Sequence, residues 1–141
     1  MPNTYTQIFY HLVWSTKDRE PFITPAIERR LYGLLRSLCV ELGADVHALG
    51  GVEDHVHLVV SIPARIALAE VVHKLKGTSS HYFNHRDDGS RLYWQPGYGA
   101  LTFSRRDLSR VTEYVRNQRQ HHRDGRLSAE MERWGEDVEA R

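Results

Sequence analysis

The sequence predicts an α+β fold of the ferredoxin-like, split βαβ plan: an antiparallel sheet with helices on one face, followed by a C-terminal helix. Segments rich in β-branched and aromatic residues alternate with segments whose apolar residues recur at helical spacing, in the order β-α-β-β-α-β-α. The 141 residues suit one hydrophobic core. No repeat or linker-like stretch divides the chain, so we expect a single domain over 1–141, with a core of about 4–122 and an acidic helix or tail at 123–141.

The first elements are marked by their residue types and by their ends. Residues 6–16 (TQIFYHLVWST) are rich in β-branched and aromatic side chains and predict the first strand. Thr24 and Pro25 are typical of a helix N-cap and first turn, and apolar residues follow at helical spacing. Gly43 can end that helix, and residues 44–52 predict the second strand.

The later elements are separated by turn residues. Two glycines and Asp54 form a turn before the third strand, and Pro63 ends that strand. Apolar residues at helical spacing then mark two more helices, with a short strand between them. In order, the expected elements are a third strand at 55–62, a second helix at 68–84, a fourth strand at 97–104, a third helix from Leu108 to about His122, and a short acidic helix from Ser128.

The composition excludes several classes of protein. No apolar run approaches the ~20 residues that span a bilayer, and the N-terminus lacks a charged segment followed by an apolar one. Cys39 is the single cysteine, which excludes an intrachain disulfide and a cysteine-based zinc site. We therefore expect a cytoplasmic protein with no membrane partner.

The net charge of +1 hides an asymmetry along the chain. Seven arginines and three acidic residues lie between residues 105 and 126, whereas five acidic residues and two arginines lie between 127 and 141. An arginine-rich helical surface favours phosphate partners. A solvated helix face of mixed charge would give the same pattern, so the charges alone leave both interpretations open.

Two histidines in the third predicted strand form the most informative pattern of the chain. Side chains alternate between the faces of a strand, so His55 and His57 point to one face and Val56 to the other. Two imidazoles on one face make half of a divalent-metal site. Two histidines without a metal would give the same pattern, and His81, His85, His121 and His122 could form competing clusters.

A tyrosine and a glutamine in the third predicted helix could complete such a site. Tyr114 and Gln118 are four residues apart and share one helix face, beside the apolar stripe of that helix. A phenol is a poor nucleophile at neutral pH, but a cation on a phosphate would favour its attack. Two imidazoles and one amide leave coordination positions open, which suits Mg²⁺ or Mn²⁺. Packing in the core would also explain Tyr114 by itself.

Several spaced motifs of this chain occur in the same order in a known family. They include His55-Val56-His57 and the Tyr-hydrophobic-x-x-Gln pattern from Tyr114 to Gln118. The further matching stretches are 10–17 (YHLVWSTK), 50–54 (GGVED), 94–100 (WQPGYGA) and Asn117-Gln118 with His121-His122. Over about residues 4–122, the chain resembles the single-tyrosine HUH transposases of the smallest bacterial insertion sequences, a family that includes the REP-associated tyrosine transposases.

The resemblance implies a DNA transposase active in DNA recombination. It would cleave and rejoin single-stranded DNA in a metal-dependent reaction, through a 5′-phosphotyrosine intermediate. By position, Tyr114 would be the catalytic nucleophile on a C-terminal catalytic helix, and His55, His57 and Gln118 would bind Mg²⁺ or Mn²⁺. Asn117 and His121 would support the site.

The resemblance also implies partners. Such enzymes recognise DNA hairpins at the ends of the element, and they form homodimers in which the tyrosine helix of one subunit completes the site of the other. Basic residues that could bind hairpin phosphates are Lys74, Lys76, Arg105, Arg106 and Arg110. Aromatic residues that could stack on bases, although each also fits core packing, are Tyr5, Tyr10, Trp14, Tyr93, Trp94 and Tyr98.

The alternative is a non-catalytic, domesticated protein that binds single-stranded or hairpin nucleic acid on the same fold. It predicts hairpin binding without a covalent adduct, although the presence of all four key residues argues against decay. A relaxase or replication initiator fits less well, because those proteins usually have larger chains, a third histidine ligand or helicase domains. A ferredoxin-like fold hosts many functions and does not decide between these hypotheses.

Overall fold

The computed structural model describes residues 3–118 and residue 120. Its strands are β1 (Phe9–Ser15), β2 (Asp45–Val52), β3 (His55–Ser61) and β4 (Gly99–Phe103), and its helices are α1 (Pro25–Leu42), α2 (Leu68–Asn84) and α3 (Leu108–Arg116). The strands form one antiparallel sheet in the order β2-β3-β1-β4. This order is the split βαβ arrangement, which confirms the predicted ferredoxin-like α+β fold.

The ends of α1 follow from the capping residues in the sequence. The Thr24 hydroxyl accepts a hydrogen bond from the Ile27 backbone N–H at 3.4 Å, and Pro25 occupies the first helical position. Gly43 ends the helix with φ of 75°, a left-handed conformation that glycine adopts without steric cost. The predicted bounds of α1 and α2 are both confirmed.

The two faces of the sheet pack against different helices. The larger core lies between the sheet and α1 and α2; its strand residues include Leu12, Trp14, Val56, Leu58 and Val60. On the opposite face, Ala48 and Val59 pack against Val111 and Val115 of α3. Because side chains alternate along β3, the histidines of that strand share the α3 face with Val59.

A glycine allows α3 to lie very close to the sheet. A Cβ atom at Gly50 would lie 2.1 Å from the backbone oxygen of Val115, a distance that no side chain could tolerate. Gly50 is the register partner of His57 on the neighbouring strand. The absence of a side chain at residue 50 therefore brings the end of α3 next to His57.

Two predicted elements differ from the structure at their ends. β1 begins at Phe9 rather than at residue 6, because its first ladder partner is Ser61, the last residue of β3. α3 ends at Arg116 rather than running unbroken to about His122, because Asn117 leaves helical geometry with φ of −102° and ψ of 28°. Asparagine favours such interruptions since its side chain competes with the helix backbone.

Residues 118 and 120 are again helical, whereas His122 and the acidic helix expected from Ser128 lie outside the described residues. The other strand ends agree with the prediction to within one or two residues. None of the helices in residues 3–118 and 120 has the length and apolar content that a membrane-spanning segment requires.

Candidate active site

His55 and His57 lie side by side on the α3 face of β3. Both side chains are completely buried, and their ring centroids are 5.1 Å apart. The alternation expected from the sequence therefore holds, with the two imidazoles adjacent on one face. A buried polar side chain normally has hydrogen-bond partners, and the partners of each ring fix its orientation in the site.

Asp54 holds the ring of His55. The Nδ1 atom of His55 lies 2.7 Å from Asp54 Oδ1, and the Nε atom of Arg19 lies 3.3 Å from Asp54 Oδ2. Burial raises the pKa of Asp54, but its hydrogen bonds and its proximity to His55 and Arg19 outweigh burial, so the pKa is lowered and the carboxylate stays ionised. With Nδ1–H donated to the carboxylate, Nε2 is the His55 nitrogen that would bind a cation.

A third histidine holds the ring of His57. The Nε2 atom of His11 lies 2.7 Å from His57 Nδ1, and both side chains are buried. In the sequence, His11 belongs only to a matching stretch of the first strand and had no predicted role in the site. No local signal indicates its partner, because the contact depends on the pairing of β1 with β3.

The predicted nucleophile lies against the same ring. The ring of Tyr114 stands edge-on to that of His57, with centroids 6.1 Å apart and an interplanar angle of 76°. Tyr114 is half-buried near the end of α3, as the sequence predicted for a residue beside the apolar stripe. The structure thus brings together three of the predicted site residues, His55, His57 and Tyr114, within one chain.

Gln118 is buried beyond the break in α3. Its side-chain amide donates a hydrogen bond to the backbone oxygen of Tyr114 at 3.3 Å. The two residues are therefore joined as expected, although Asn117 interrupts the helix between them. Asn117 itself is exposed and borders a cavity of about 370 Å³ that is also lined by Gly50 and Gly51. His121, the other predicted supporting residue, lies outside the described residues.

Ser15 adds a polar group for which the sequence predicted no role. It is the register partner of His55 on β1 and therefore faces the same side of the sheet. Its hydroxyl is buried and has no hydrogen-bond partner among the described residues. An unsatisfied buried hydroxyl beside His55 suits a site that takes up an oxygen-rich ligand or ordered water.

The donor set could hold a divalent cation with few protein ligands. With the Nδ1 atoms of His55 and His57 hydrogen-bonded, Nε2 is the nitrogen of each ring that would bind the cation. Among residues 3–118 and 120, no group of three His, Cys, Asp or Glu side chains is arranged to hold a metal. The amide oxygen of Gln118, a neutral oxygen ligand, is the third ligand that the sequence predicted.

The predicted basic residues fall into two groups. Lys74 is exposed on α2, and Lys76 donates hydrogen bonds to the backbone oxygens of Gln95 and Gly97, each at 2.8 Å. Burial lowers the pKa of Lys76. Arg105, Arg106 and Arg110 are exposed where α3 begins.

Arg105 lies far from the histidines along the sheet. It lines a cavity with Ser61, at the opposite end of β3 from His55. Six extended residues separate these ends, about 20 Å. Arg105 therefore lies apart from the histidines, whereas Arg110 lies on α3 one helical turn before Tyr114.

The predicted aromatic residues also fall into two groups, those that pack in the core and those that are exposed. Trp14 is completely buried, and the indole N–H of Trp94 donates to the Ser79 hydroxyl at 2.9 Å. Tyr10, Trp94 and Tyr98 pack against the larger core. Tyr5 and Tyr93 are exposed, at 82% and 44% of their surfaces. Among the six predicted aromatic residues, these two are therefore the rings that could stack on bases without unfolding the core.

Comparison with known proteins assigns the chain to a family. The family model described as "Transposase IS200 like" matches residues 4–118. The ISDra2 transposase TnpA of Deinococcus radiodurans is 28% identical over 118 residues, which span 79% of this chain and 84% of that protein. The transposase for insertion sequence element IS200 of Salmonella typhimurium is 25% identical over 118 residues, spanning 77% of this chain and 75% of that one.

Solved structures with the same fold are also transposases. One, from Deinococcus radiodurans R1, has a TM-score of 0.63 at 24% identity and covers 92% of this chain and 98% of its own. A REP-associated tyrosine transposase bound to a REP hairpin has a TM-score of 0.65 at 11% identity. The match covers 90% of this chain and 76% of that one. These two similarities concern the fold. The family match over residues 4–118 shows that this chain belongs to the IS200-like transposases, with the DNA-binding and DNA-recombination activity of that family.

Proposed function

We propose that this transposase cleaves and rejoins single-stranded DNA through a covalent 5′-phosphotyrosine link to Tyr114. The observation that carries the proposal is the contact between the Tyr114 ring and the ring of His57, beside the buried pair of histidines. A half-buried tyrosine at a pair of oriented imidazoles combines a nucleophile with a place for a cation. A purely structural tyrosine would not require that arrangement.

His55 and His57 would hold Mg²⁺ or Mn²⁺ through their Nε2 atoms, with the amide oxygen of Gln118 as a third ligand. When bound, such a cation offsets charge on the non-bridging oxygens of a phosphate and orients it for in-line attack. Asp54 keeps the His55 ring in place, and its lowered pKa keeps it ionised as a hydrogen-bond acceptor. The hydroxyl of Ser15 can donate to a phosphate oxygen on the same face.

Tyr114 performs the covalent step. Its phenolic oxygen forms a bond to phosphorus as the bond from phosphorus to the DNA 3′-oxygen breaks; the phenol loses a proton and the 3′-oxygen gains one. One phosphodiester bond replaces another, so the free energy of the original bond is retained in the phosphotyrosine. A second DNA 3′-hydroxyl can then attack the phosphotyrosine and restore the phenol, which rejoins DNA without ATP.

Hairpin recognition is proposed for a separate surface. The exposed Arg105 lies at the far end of β3 from His55 and, with the adjacent Arg106, could neutralise hairpin phosphates there, whereas the exposed Arg110 could bind a phosphate nearer to Tyr114. A REP hairpin is the ligand of the REP-associated tyrosine transposase that shares this fold. A distance of about 20 Å would allow a folded hairpin and a single-stranded cleavage site to be bound at once.

The test is a covalent adduct on a denaturing gel. A labelled oligonucleotide with a hairpin and a single-stranded flank is incubated with Mg²⁺ or Mn²⁺ and with each protein variant. The wild type should form a protein–DNA adduct, Tyr114→Phe should form none while still binding the hairpin, and Tyr82→Phe, on α2, should behave as the wild type. An adduct with Tyr114→Phe would refute the nucleophile assignment, and binding without any wild-type adduct would favour the non-catalytic alternative.

A further inference from the structure

We infer that His11 is a positioning residue, which orients His57 and sets its tautomer for cation binding. The inference rests on the metal site proposed above and adds a residue to it. The observation behind the inference is the hydrogen bond of 2.7 Å between His11 Nε2 and His57 Nδ1, which joins two buried side chains. The rings lie nearly parallel, with centroids 5.0 Å apart and an interplanar angle of 28°.

The direction of this hydrogen bond decides whether His57 can bind a cation. A neutral imidazole carries one proton, so a bond between two neutral rings has two forms. If His11 donates, His57 Nδ1 is the acceptor and the His57 proton sits on Nε2, where it blocks a metal. If His57 donates from Nδ1, its Nε2 lone pair is available. Cation binding therefore requires His11 to be the acceptor and to carry its own proton on Nδ1.

His11 is placed to orient His57 rather than to share its cation. The two nitrogens of an imidazole point to different sides of the ring, and His11 contacts the Nδ1 side of His57. A cation on His57 Nε2 would lie on the other side. The absence of any three-residue His, Cys, Asp or Glu metal cluster in the described part of the chain agrees with this separation.

The backbone at His11 is rigidly held, as a positioning residue requires. β1 is an inner strand, and residue 11 has ladder partners on both sides, Val59 of β3 and Leu101 of β4. His57 pairs with Val13, so His11 is its diagonal neighbour on the same face. Both histidines of the proposed metal site are thus hydrogen-bonded through Nδ1, His55 to a carboxylate and His57 to a second imidazole.

The first test measures Mn²⁺ affinity of the DNA-free protein by electron paramagnetic resonance. Partners of metal-binding histidines contribute about 10- to 100-fold in affinity, so His11→Leu should weaken Mn²⁺ binding by that factor. His11→Gln places an amide near the position of Nε2 and should restore most of the affinity. The matched control is His47→Leu, since His47 also bonds a side chain of a neighbouring strand, the Ser61 hydroxyl at 2.7 Å. This control should bind Mn²⁺ as the wild type does.

A His57→Leu variant separates failure of this inference from failure of the metal site. If His57→Leu leaves Mn²⁺ affinity unchanged, the metal site itself is wrong. If His57→Leu abolishes binding while His11→Leu binds normally, only the role of His11 is wrong. Equal losses in His11→Leu and His11→Gln would also overturn that role.

The second test uses the wild-type protein and therefore does not depend on the folding of a variant. Long-range ¹H–¹⁵N NMR of the metal-free wild type reports which nitrogen of His57 is protonated. We expect the proton on Nδ1. A wild-type spectrum with His57 protonated on Nε2 alone would overturn the inference.

Discussion

The ring of Tyr114 stands edge-on to the ring of His57 of the same chain, at 6.1 Å between centroids. The resemblance to single-tyrosine transposases implied a homodimer that exchanges the tyrosine helix between subunits, and that dimer stays a prediction. Within one chain, however, the proposed nucleophile already lies beside His57. The two arrangements differ in which subunit supplies the tyrosine.

A complementation assay distinguishes these arrangements. Tyr114→Phe and His57→Leu are each expected to form no DNA adduct. If each tyrosine serves its own chain, a mixture of the two variants also forms no adduct, and this is the result we expect from the contact. Recovery of adduct in the mixture, after co-expression to allow subunit exchange, would instead show sharing between subunits.

Gly50 should be irreplaceable for the packing of α3. An added Cβ would meet the Val115 oxygen at 2.1 Å, so Gly50→Ala must displace the helix that carries Tyr114. We expect a loss of about 1–3 kcal/mol in the free energy of unfolding, the usual range for overpacking, together with a loss of adduct formation. Urea denaturation and the adduct assay measure the two effects.

Gly77→Ala is the matched control for that variant. Gly77 lies in α2 with no atom within 4 Å of an added Cβ, so this substitution should stabilise the protein by roughly 0.5–1 kcal/mol. Unchanged stability in Gly50→Ala would mean that α3 does not depend on close approach to β2.

Replacement of Ser15 should stabilise the protein and reduce its activity. Its buried hydroxyl has no partner among the described residues, and such a group costs about 1–3 kcal/mol. We expect Ser15→Ala to raise the melting temperature of the free protein and to slow adduct formation. A lower melting temperature would show that the hydroxyl is satisfied in the free protein.

Ser79→Ala provides the contrast. The Ser79 hydroxyl is also buried, but it donates to the Leu75 oxygen at 2.7 Å and accepts from the Trp94 indole at 2.9 Å. Removal leaves the indole N–H without its partner and should lower the melting temperature. It should leave the rate of adduct formation per folded molecule unchanged.

Cys39 should be unreactive in the folded protein. Burial raises the pKa of its thiol from 9.0 to about 11, so almost no thiolate exists near neutral pH. We expect slow alkylation of the native protein at pH 8 and rapid alkylation in denaturant, measured by mass spectrometry. Rapid alkylation without denaturant would contradict the buried position.

The same shift predicts a dependence of stability on pH. The folded pKa exceeds the unfolded one, so the contribution of this thiol is complete below about pH 9 and is lost as pH rises through about 11. The difference in unfolding free energy between wild type and Cys39→Ala should therefore shrink over this interval. A constant difference would contradict the raised pKa.

Much of the fold followed from local patterns. Thr24, Pro25 and Gly43 predicted the ends of α1, because capping depends on a few neighbouring residues. The end of α3 was not predicted, since no proline or glycine marks it between Val115 and Gly125, and the backbone of Asn117 leaves helical geometry without such a signal. The role of His11 was also missed, because a histidine within an apolar strand gives no local sign of its partner.

By itself, the sequence determined the order of the elements and placed His55 and His57 on one face, because both depend on local periodicity. It also carried the motifs of the IS200-like family. The tertiary structure alone decided that α3 covers the histidine face and that His11 meets a residue 46 positions away. Such contacts depend on strand order, on register and on the close packing that Gly50 allows, none of which is encoded in the spacing of neighbouring residues.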